Sequence, residues 1–177
     1  MPPSVFRILY LTSHISYYQT PMITLRRATI HDAALITEHR HRMFADNQLA
    51  TEQRYTEMDR NFLPWVTERL ADGRYIGFLL EDDSNHQIIA GAGIYYLDWP
   101  PHYLDPAPTR AYLLNFYTEP EDRGEGHAKT LLAALVAECR AKNPNIVITL
   151  HASRFGKPIY EAFGFKHHNE YALRPDM

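Results

Sequence analysis

Apolar side chains recur at helical spacing in three stretches of the chain. The clearest predicted helix covers residues 52–70, a shorter one covers residues 32–44, and a third begins at Ala128. In chain order, the residues that share one side of these helices are Ala33, Ile36, Arg40 and Met43, then Tyr55, Met58, Phe62, Trp65, Val66 and Leu70, and then Leu131, Leu132, Leu135, Val136 and Cys139. We expect Cys139, on the third stripe, to be buried in the core.

Runs rich in branched and aromatic residues predict the strands, which cover residues 22–28, 74–81, 87–96, 112–118 and 146–151. A short helix and a last strand are predicted on either side of a Gly-Phe pair near residue 164. The resulting order is βααβββαβαβ. This order predicts an α/β fold in which helices cover both faces of a mixed central sheet.

The segment 112–128 combines a strand, a tight turn and the start of a helix. Gly124 and Gly126 remove side chains from the turn, so the backbone there can approach a ligand closely. A helix N-terminus adds free N–H groups and the positive end of a dipole, which suit a phosphate or pyrophosphate. The Walker pattern is excluded because no glycine precedes Lys129 at the required spacing, and the third glycine of the dinucleotide fingerprint is also missing.

The pattern R-x-x-G-x-A is present as Arg123, Gly126 and Ala128. In this pattern the chain resembles the GNAT superfamily of acyl-CoA-dependent N-acetyltransferases, whose signature is Q/R-x-x-G-x-G/A. The resemblance continues downstream, where residues fit a strand end, a short helix and a Gly-Phe entry into the last strand. The fitting residues are Ile159, Tyr160, Gly164 and Phe165, with Ser153 at the family's asparagine position and Gly156 at its alanine position.

The resemblance covers about residues 22–173 and implies a GNAT-like mixed sheet with a splayed coenzyme strand. It further implies that acetyl-CoA is the acyl donor, without a metal ion, and that loop amides hold its pyrophosphate while the preceding strand pairs with its pantetheine arm. The implied coenzyme contacts are Phe116, Tyr117, Thr118, Arg123, Gly124, Glu125, Gly126, His127, Ala128, Lys129 and Ser153.

Tyr160 is the catalytic residue that the resemblance implies. A phenol stays protonated at neutral pH, so it can donate to the departing thiolate as a general acid or hydrogen-bond donor. The alternative is a core tyrosine that packs the short helix. The residue that accepts the amine proton stays open: His151 and Glu119 are candidate relays, and Asn115 is a candidate for orienting a water or the substrate.

The expected acceptor is a primary amine of a small molecule or peptide. The predicted burial of Cys139 argues against an acyl-enzyme and for direct transfer in a ternary complex. A non-catalytic acyl-CoA-binding module is the alternative function. Trp99, His102 and Tyr103, in a proline-rich loop before the coenzyme strand, are expected to shape the acceptor pocket together with residues 48–60.

Composition bears on nucleic-acid binding, on cellular location and on membrane insertion. The 177 residues carry a formal net charge of −3 without a basic block, so nothing indicates nucleic-acid binding. One cysteine excludes an internal disulfide and favours a cytoplasmic location, and no run is long enough to span a membrane. Residues 1–21 lack the features of a signal peptide and are interpreted as an N-terminal extension before an acetyltransferase domain at 22–177, with an added edge strand or a dimer arm as the alternative.

Overall fold

The computed structural model describes residues 22–103 and 106–168. Within these ranges, five strands form one sheet in chain order: β1 (Ile23–Arg27), β2 (Tyr75–Asp82), β3 (Gln87–Asp98), β4 (Thr109–Thr118) and β5 (Ile148–Leu150). Neighbouring strands from β1 to β4 are antiparallel, whereas β5 joins β4 in parallel. The helices are α1 (Ala33–Asp46), α2 (Glu52–Ala71), α3 (His127–Lys142) and α4 (Lys157–Phe163), with short 3-10 turns at Ile30–Asp32 and Pro120–Asp122.

The two faces of the sheet carry separate hydrophobic cores. Tyr75 packs with residues of α1 and α2, whereas the adjacent Ile76 packs against the core that contains α3. Successive residues of a strand point to opposite faces, so α1 and α2 cover one face and α3 covers the other. The predicted mixed sheet with helices on both faces is confirmed. Cys139, on α3, is fully buried as predicted.

A β-bulge interrupts the pairing of β4 with β3. Gly91 pairs with Tyr117 and Gly93 with Leu114, so β4 holds one extra residue over this interval. The φ angle of Asn115 is +59°, in the left-handed region that residues other than glycine seldom adopt. Leu114 packs in the core of α1 and α2, and the next side chain, that of Asn115, reaches Tyr75 in the same core. The bulge therefore places two successive side chains on one face of the sheet.

β4 and β5 separate after a short contact. They pair only at Ala111, Tyr112 and Leu113 of β4, although β4 continues to Thr118. Among the described residues, no strand pairs with the rest of this edge of β4. The predicted splayed strand is therefore present. β5 is shorter than the predicted strand at 146–151, because the divergence from β4 ends the parallel ladder after three residues.

Two predicted segments have no counterpart in the described strands. Residues 165–168 follow α4 without regular secondary structure, and residues 169–177, where the last strand was expected to continue, lie outside the described ranges. Residues 1–21, interpreted as an extension, also lie outside them. The other predicted helices and strands agree with the observed ones to within about two residues, except that β4 begins three residues before the predicted start at Tyr112.

Candidate active site

A cavity of about 1170 Å³, called here the β4–β5 cavity, opens where the two strands separate. Its wall combines the C-terminal half of α1, strand β4, the glycine turn with the start of α3, and the residues between β5 and α4. Glu125 is exposed and does not lie on this wall. The other residues predicted to contact the coenzyme or to act in catalysis all lie on it: Phe116, Tyr117, Thr118, Arg123, Gly124, Gly126, His127, Ala128, Lys129, Ser153 and Tyr160.

The glycine turn ends in an uncapped helix N-terminus. Gly124 and Gly126 have φ angles of +91° and +90°, and a Cβ at either position would meet no atom within 4 Å. Glycine is therefore required by the backbone conformation rather than by crowding. No side chain caps the first turn of α3, which starts at His127. The N–H of Lys129 donates to the Gly126 carbonyl at 2.9 Å, and the N–H groups left for a ligand are those of His127 and Ala128, which both lie on the wall. This turn can bind an anion.

Two cations flank the glycine turn, and they differ in their partners. Arg123 donates from Nε to the carbonyl of Thr118 (2.9 Å) and from Nη2 to Asp46 (2.6 Å), which ties the turn to β4 and α1. Lys129 is exposed and forms no ion pair with any described residue. The charge of Lys129 is thus not neutralised by a carboxylate and can interact with a phosphate at this turn, while Arg123 stabilises the turn.

Tyr160 lies on the wall between aromatic rings. Its ring contacts Phe116 and Phe165 edge-on, at centroid distances of 5.6 and 6.1 Å. Burial, and then the nearby phenol of Tyr112, raise the pKa of Tyr160 to about 12, so its hydroxyl is a hydrogen-bond donor at neutral pH. A Cβ at Gly156 would lie 2.8 Å from the Tyr160 ring, which explains the glycine where the family pattern has alanine.

The two candidate proton relays are placed differently. His151 lies on the wall, and its Nδ1 is 2.5 Å from the hydroxyl of Tyr112. Glu119 does not lie on the wall, because both of its oxygens accept from Arg42, at 2.9 and 3.0 Å. Of the two predicted relays, the structure brings only His151 to the cavity.

Sequence reasoning missed the role of Arg40, although its place on the inward stripe of α1 was a signal. Arg40 lies on the wall and donates from Nη1 to Asn115 Oδ1 at 2.8 Å. Asn115 donates from Nδ2 to the hydroxyl of Tyr75 at 3.1 Å, and burial raises the pKa of Tyr75 to about 12. The amide of Asn115 therefore links Arg40 to Tyr75, and the expectation that Asn115 orients a water or the substrate stays a prediction.

The described residues of the proline-rich loop do not line the β4–β5 cavity. Trp99, His102 and Tyr103 are absent from the wall. The Trp99 ring instead lies 3.7 Å from the guanidinium of Arg110, and Tyr103 is 87% exposed. On this side the wall is formed by α1 and the residues after it, namely Arg40, Met43, Phe44, Asp46, Asn47 and Leu49. Within the predicted segment 48–60, only Leu49 reaches the cavity.

Neither a membrane-spanning helix nor a metal site is present in the described ranges. None of their helices is both long and apolar enough to cross a bilayer. The same residues contain no group of three or more histidine, cysteine, aspartate or glutamate side chains placed to hold a metal ion.

Comparison with known proteins identifies the family. The family model described as an acetyltransferase (GNAT) domain matches residues 104–174, while no curated protein matches the chain by sequence. A GCN5-related N-acetyltransferase from Ralstonia eutropha JMP134 is 30% identical, with a TM-score of 0.81 over 87% of this chain and 99% of its own. A predicted acetyltransferase from Clostridium acetobutylicum, solved with acetyl-CoA, is 33% identical, with a TM-score of 0.77 over 87% of this chain and 96% of its own.

A more distant structure shares the fold. Aminoglycoside N-acetyltransferase AAC(6')-Iy, solved with CoA, is 16% identical, with a TM-score of 0.64 over 90% of this chain and 97% of its own. The two nearer structures match almost their whole lengths at 30% identity or more. The signature residues Arg123, Gly126 and Ala128 stand at the glycine turn of the same fold. The chain belongs to the GNAT family of acetyltransferases.

Proposed function

We propose that this acetyltransferase moves an acetyl group from acetyl-CoA to a primary amine of a small molecule or peptide, directly and within a ternary complex. The main support for the proposal is that an uncapped helix N-terminus and a protonated Tyr160 line the same cavity, the β4–β5 cavity. The Clostridium structure with acetyl-CoA and the aminoglycoside acetyltransferase with CoA support the choice of donor.

In this proposal, the glycine turn and the open edge of β4 bind the donor. The free N–H groups that follow Gly126, together with the charge of Lys129, bind the pyrophosphate. No described strand pairs with residues 116–118 on the side where β5 has diverged, although the Thr118 carbonyl there accepts from Arg123. The remaining backbone groups of this edge continue the sheet onto an extended amide chain of the donor. The thioester end then lies toward Tyr160, on the same wall.

Tyr160 stabilises the leaving group. The amine attacks the thioester carbonyl carbon, a C–N bond forms, and the C–S bond breaks with its electron pair left on sulfur. A phenol whose pKa is about 12 is a weaker acid than a thiol, for which the reference is about 8.5, so full proton transfer to sulfur is unfavourable. Tyr160 therefore acts as a hydrogen-bond donor to the developing thiolate rather than as a general acid.

Tyr112 and His151 remove the amine proton. The attacking nitrogen passes its proton to the Tyr112 oxygen while the Tyr112 proton passes to Nδ1 of His151, 2.5 Å from that oxygen, and His151 becomes an imidazolium. Glu119 has no part in this route, because Arg42 holds it away from the cavity.

Cys139 supports transfer without an acyl-enzyme. Its side chain is fully buried on α3 and does not reach the cavity wall, and burial raises the pKa of its thiol to about 11. A neutral, inaccessible thiol is a poor nucleophile. A free buried cysteine also fits the reducing cytoplasm that we propose as the location.

Replacing Tyr160 by phenylalanine tests the proposal, because it removes the donor and keeps the ring. Turnover in a thiol-release assay with a panel of amines should fall by about tenfold to a hundredfold, as expected for one hydrogen bond to a charged group. Affinity for acetyl-CoA in calorimetry should change little, because the bond strengthens only as charge develops on sulfur. Tyr103→Phe is the matched control, since Tyr103 is exposed and lies off the wall.

Two outcomes would count against this proposal. Unchanged turnover in Tyr160→Phe, or a loss confined to acetyl-CoA affinity, would make Tyr160 a packing residue. Binding of acetyl-CoA without thiol release for any amine would favour the alternative, a non-catalytic acyl-CoA-binding module.

A further inference from the structure

Arg40 lies on α1 and lines the β4–β5 cavity, and contacts with neighbouring side chains fix the position of its guanidinium. Its Nη1 donates to Asn115 at 2.8 Å, and Asn115 is itself bonded to the buried hydroxyl of Tyr75. The guanidinium also lies over the rings of Phe44 and Phe62, with its central carbon 4.9 and 4.7 Å from their centroids. Because the three direct partners, Asn115, Phe44 and Phe62, are uncharged, they orient the cation without neutralising it.

The positive charge of Arg40 lacks a close carboxylate. Across residues 22–103 and 106–168, no acidic side chain forms an ion pair with it, and Asp59 acts on it only at longer range. The acidic side chains around this part of the protein are already bound to other groups. Asp46 is paired with Arg123, Glu119 with Arg42, and Asp59 with His41.

An unneutralised guanidinium in this position is costly. Arg40 Nε is buried and has no hydrogen-bond partner, and burial lowers the pKa of the group below its ordinary value. An arginine nevertheless stays charged in a protein. Removing a charge from water costs free energy unless a partner of opposite charge is supplied. In the described part of the chain no carboxylate forms an ion pair with Arg40, and Asp59, whose buried Oδ1 has no hydrogen-bond partner, acts on it only at longer range. A close partner is therefore expected from the contents of the cavity.

We propose that Arg40 binds an anionic group, a carboxylate or a phosphate, on the acceptor. The proposal rests on the acetyl transfer proposed above and names its substrate class: an amine that also carries an anion. Arg40, Tyr112 and Tyr160 all line the β4–β5 cavity, so the anion-binding residue and the proposed thiolate donor share one space with the acceptor.

Matched acceptors that differ only in the anionic group test the proposal. Amino acids are compared with their amides, and amino sugar phosphates with the free amino sugars, so that carboxylate and phosphate are tested separately. The wild type should prefer the anionic member of one set by about tenfold to a hundredfold in kcat/KM, as expected for a charged hydrogen bond. In Arg40→Met this preference should shrink to about twofold or less, with affinity for acetyl-CoA retained.

Two further variants control for folding and for general charge. Arg40→Lys keeps the charge but not the fork of donors, so it should keep a reduced preference of the same sign. Arg42→Met removes a neighbouring arginine whose charge is balanced by Glu38 and Glu119, and it should keep the full preference. Circular dichroism checks that each variant is folded. A preference that survives in Arg40→Met, or one lost equally in Arg42→Met, overturns the role of Arg40.

Calorimetry separates this inference from the proposed function. The same pairs of amines are titrated into enzyme saturated with CoA. An anion preference in binding that depends on Arg40, without acetyl transfer to any amine, supports the anion site and refutes acetyl transfer to these acceptors. Acetyl transfer with equal efficiency for both members of every pair refutes the role of Arg40 and leaves the proposed function standing.

Discussion

A loss of stability in mild acid is expected from His39, which α1 buries against the sheet. His39 is only 2% exposed, its Nε2 has no hydrogen-bond partner, and its ring lies 4.9 Å from that of Tyr117. Glu119 comes within 4.0 Å of Nε2 but is bound by Arg42. Burial and then the charge of Arg42, opposed by that of Glu38, lower the pKa of His39 to about 4. The folded protein therefore holds His39 neutral.

The size of the effect follows from the two protonation equilibria. The unfolded chain takes up the His39 proton near pH 6.5, whereas the folded protein resists it until about pH 4, so stability falls as the pH falls through this window. The full difference corresponds to about 3 kcal/mol, and the part between pH 7 and pH 5 to about 2 kcal/mol.

Urea denaturation of the wild type and of His39→Gln at pH 7 and pH 5 measures this contribution. The wild type should lose about 2 kcal/mol more than the variant, because all other titrating groups are shared. His41→Gln is an informative control: a hydrogen bond to Asp59 raises the pKa of His41, so its proton stabilises the fold in acid and its removal should shift the difference the opposite way. Equal losses in the wild type and His39→Gln would refute the reasoning.

Two further predictions concern the cavity. Gly126→Val should weaken acetyl-CoA binding at least about tenfold, because the valine side chain fills the anion site. Gly73→Val is the control: it carries the same cost of about 1–2 kcal/mol for a left-handed backbone but lies off the wall, so it should leave the affinity unchanged. Equal affinities of the two variants in calorimetry would place the pyrophosphate elsewhere. His151→Asn should lower kcat at pH 7 by about a hundredfold, typical of general-base catalysis, without changing acetyl-CoA affinity; unchanged turnover would remove His151 from the proton route.

Features that depend on neighbouring residues could be predicted from the sequence. The helical stripe of α3 predicted the burial of Cys139, and the glycine turn predicted a helix N-terminus beside a strand. The position of Tyr160 on the cavity wall could be predicted because it belongs to a family pattern whose spacing sets one short helix. In each case the controlling interactions run between residues a few positions apart, so the pattern along the chain carries the information.

The tertiary structure alone decided which side chains meet in the cavity. Arg40 and Asn115 are 75 positions apart, and they meet because the bulge gives β4 an extra residue and turns Asn115 toward α1. Regular alternation would have placed Asn115 on the face opposite Leu114, since a shift of one residue exchanges the faces of a strand. The position of Glu119 off the wall has a similar origin, because its carboxylate accepts from Arg42, which is 77 positions away. Such pairings depend on the register of strands and the packing of helices, which no local pattern specifies.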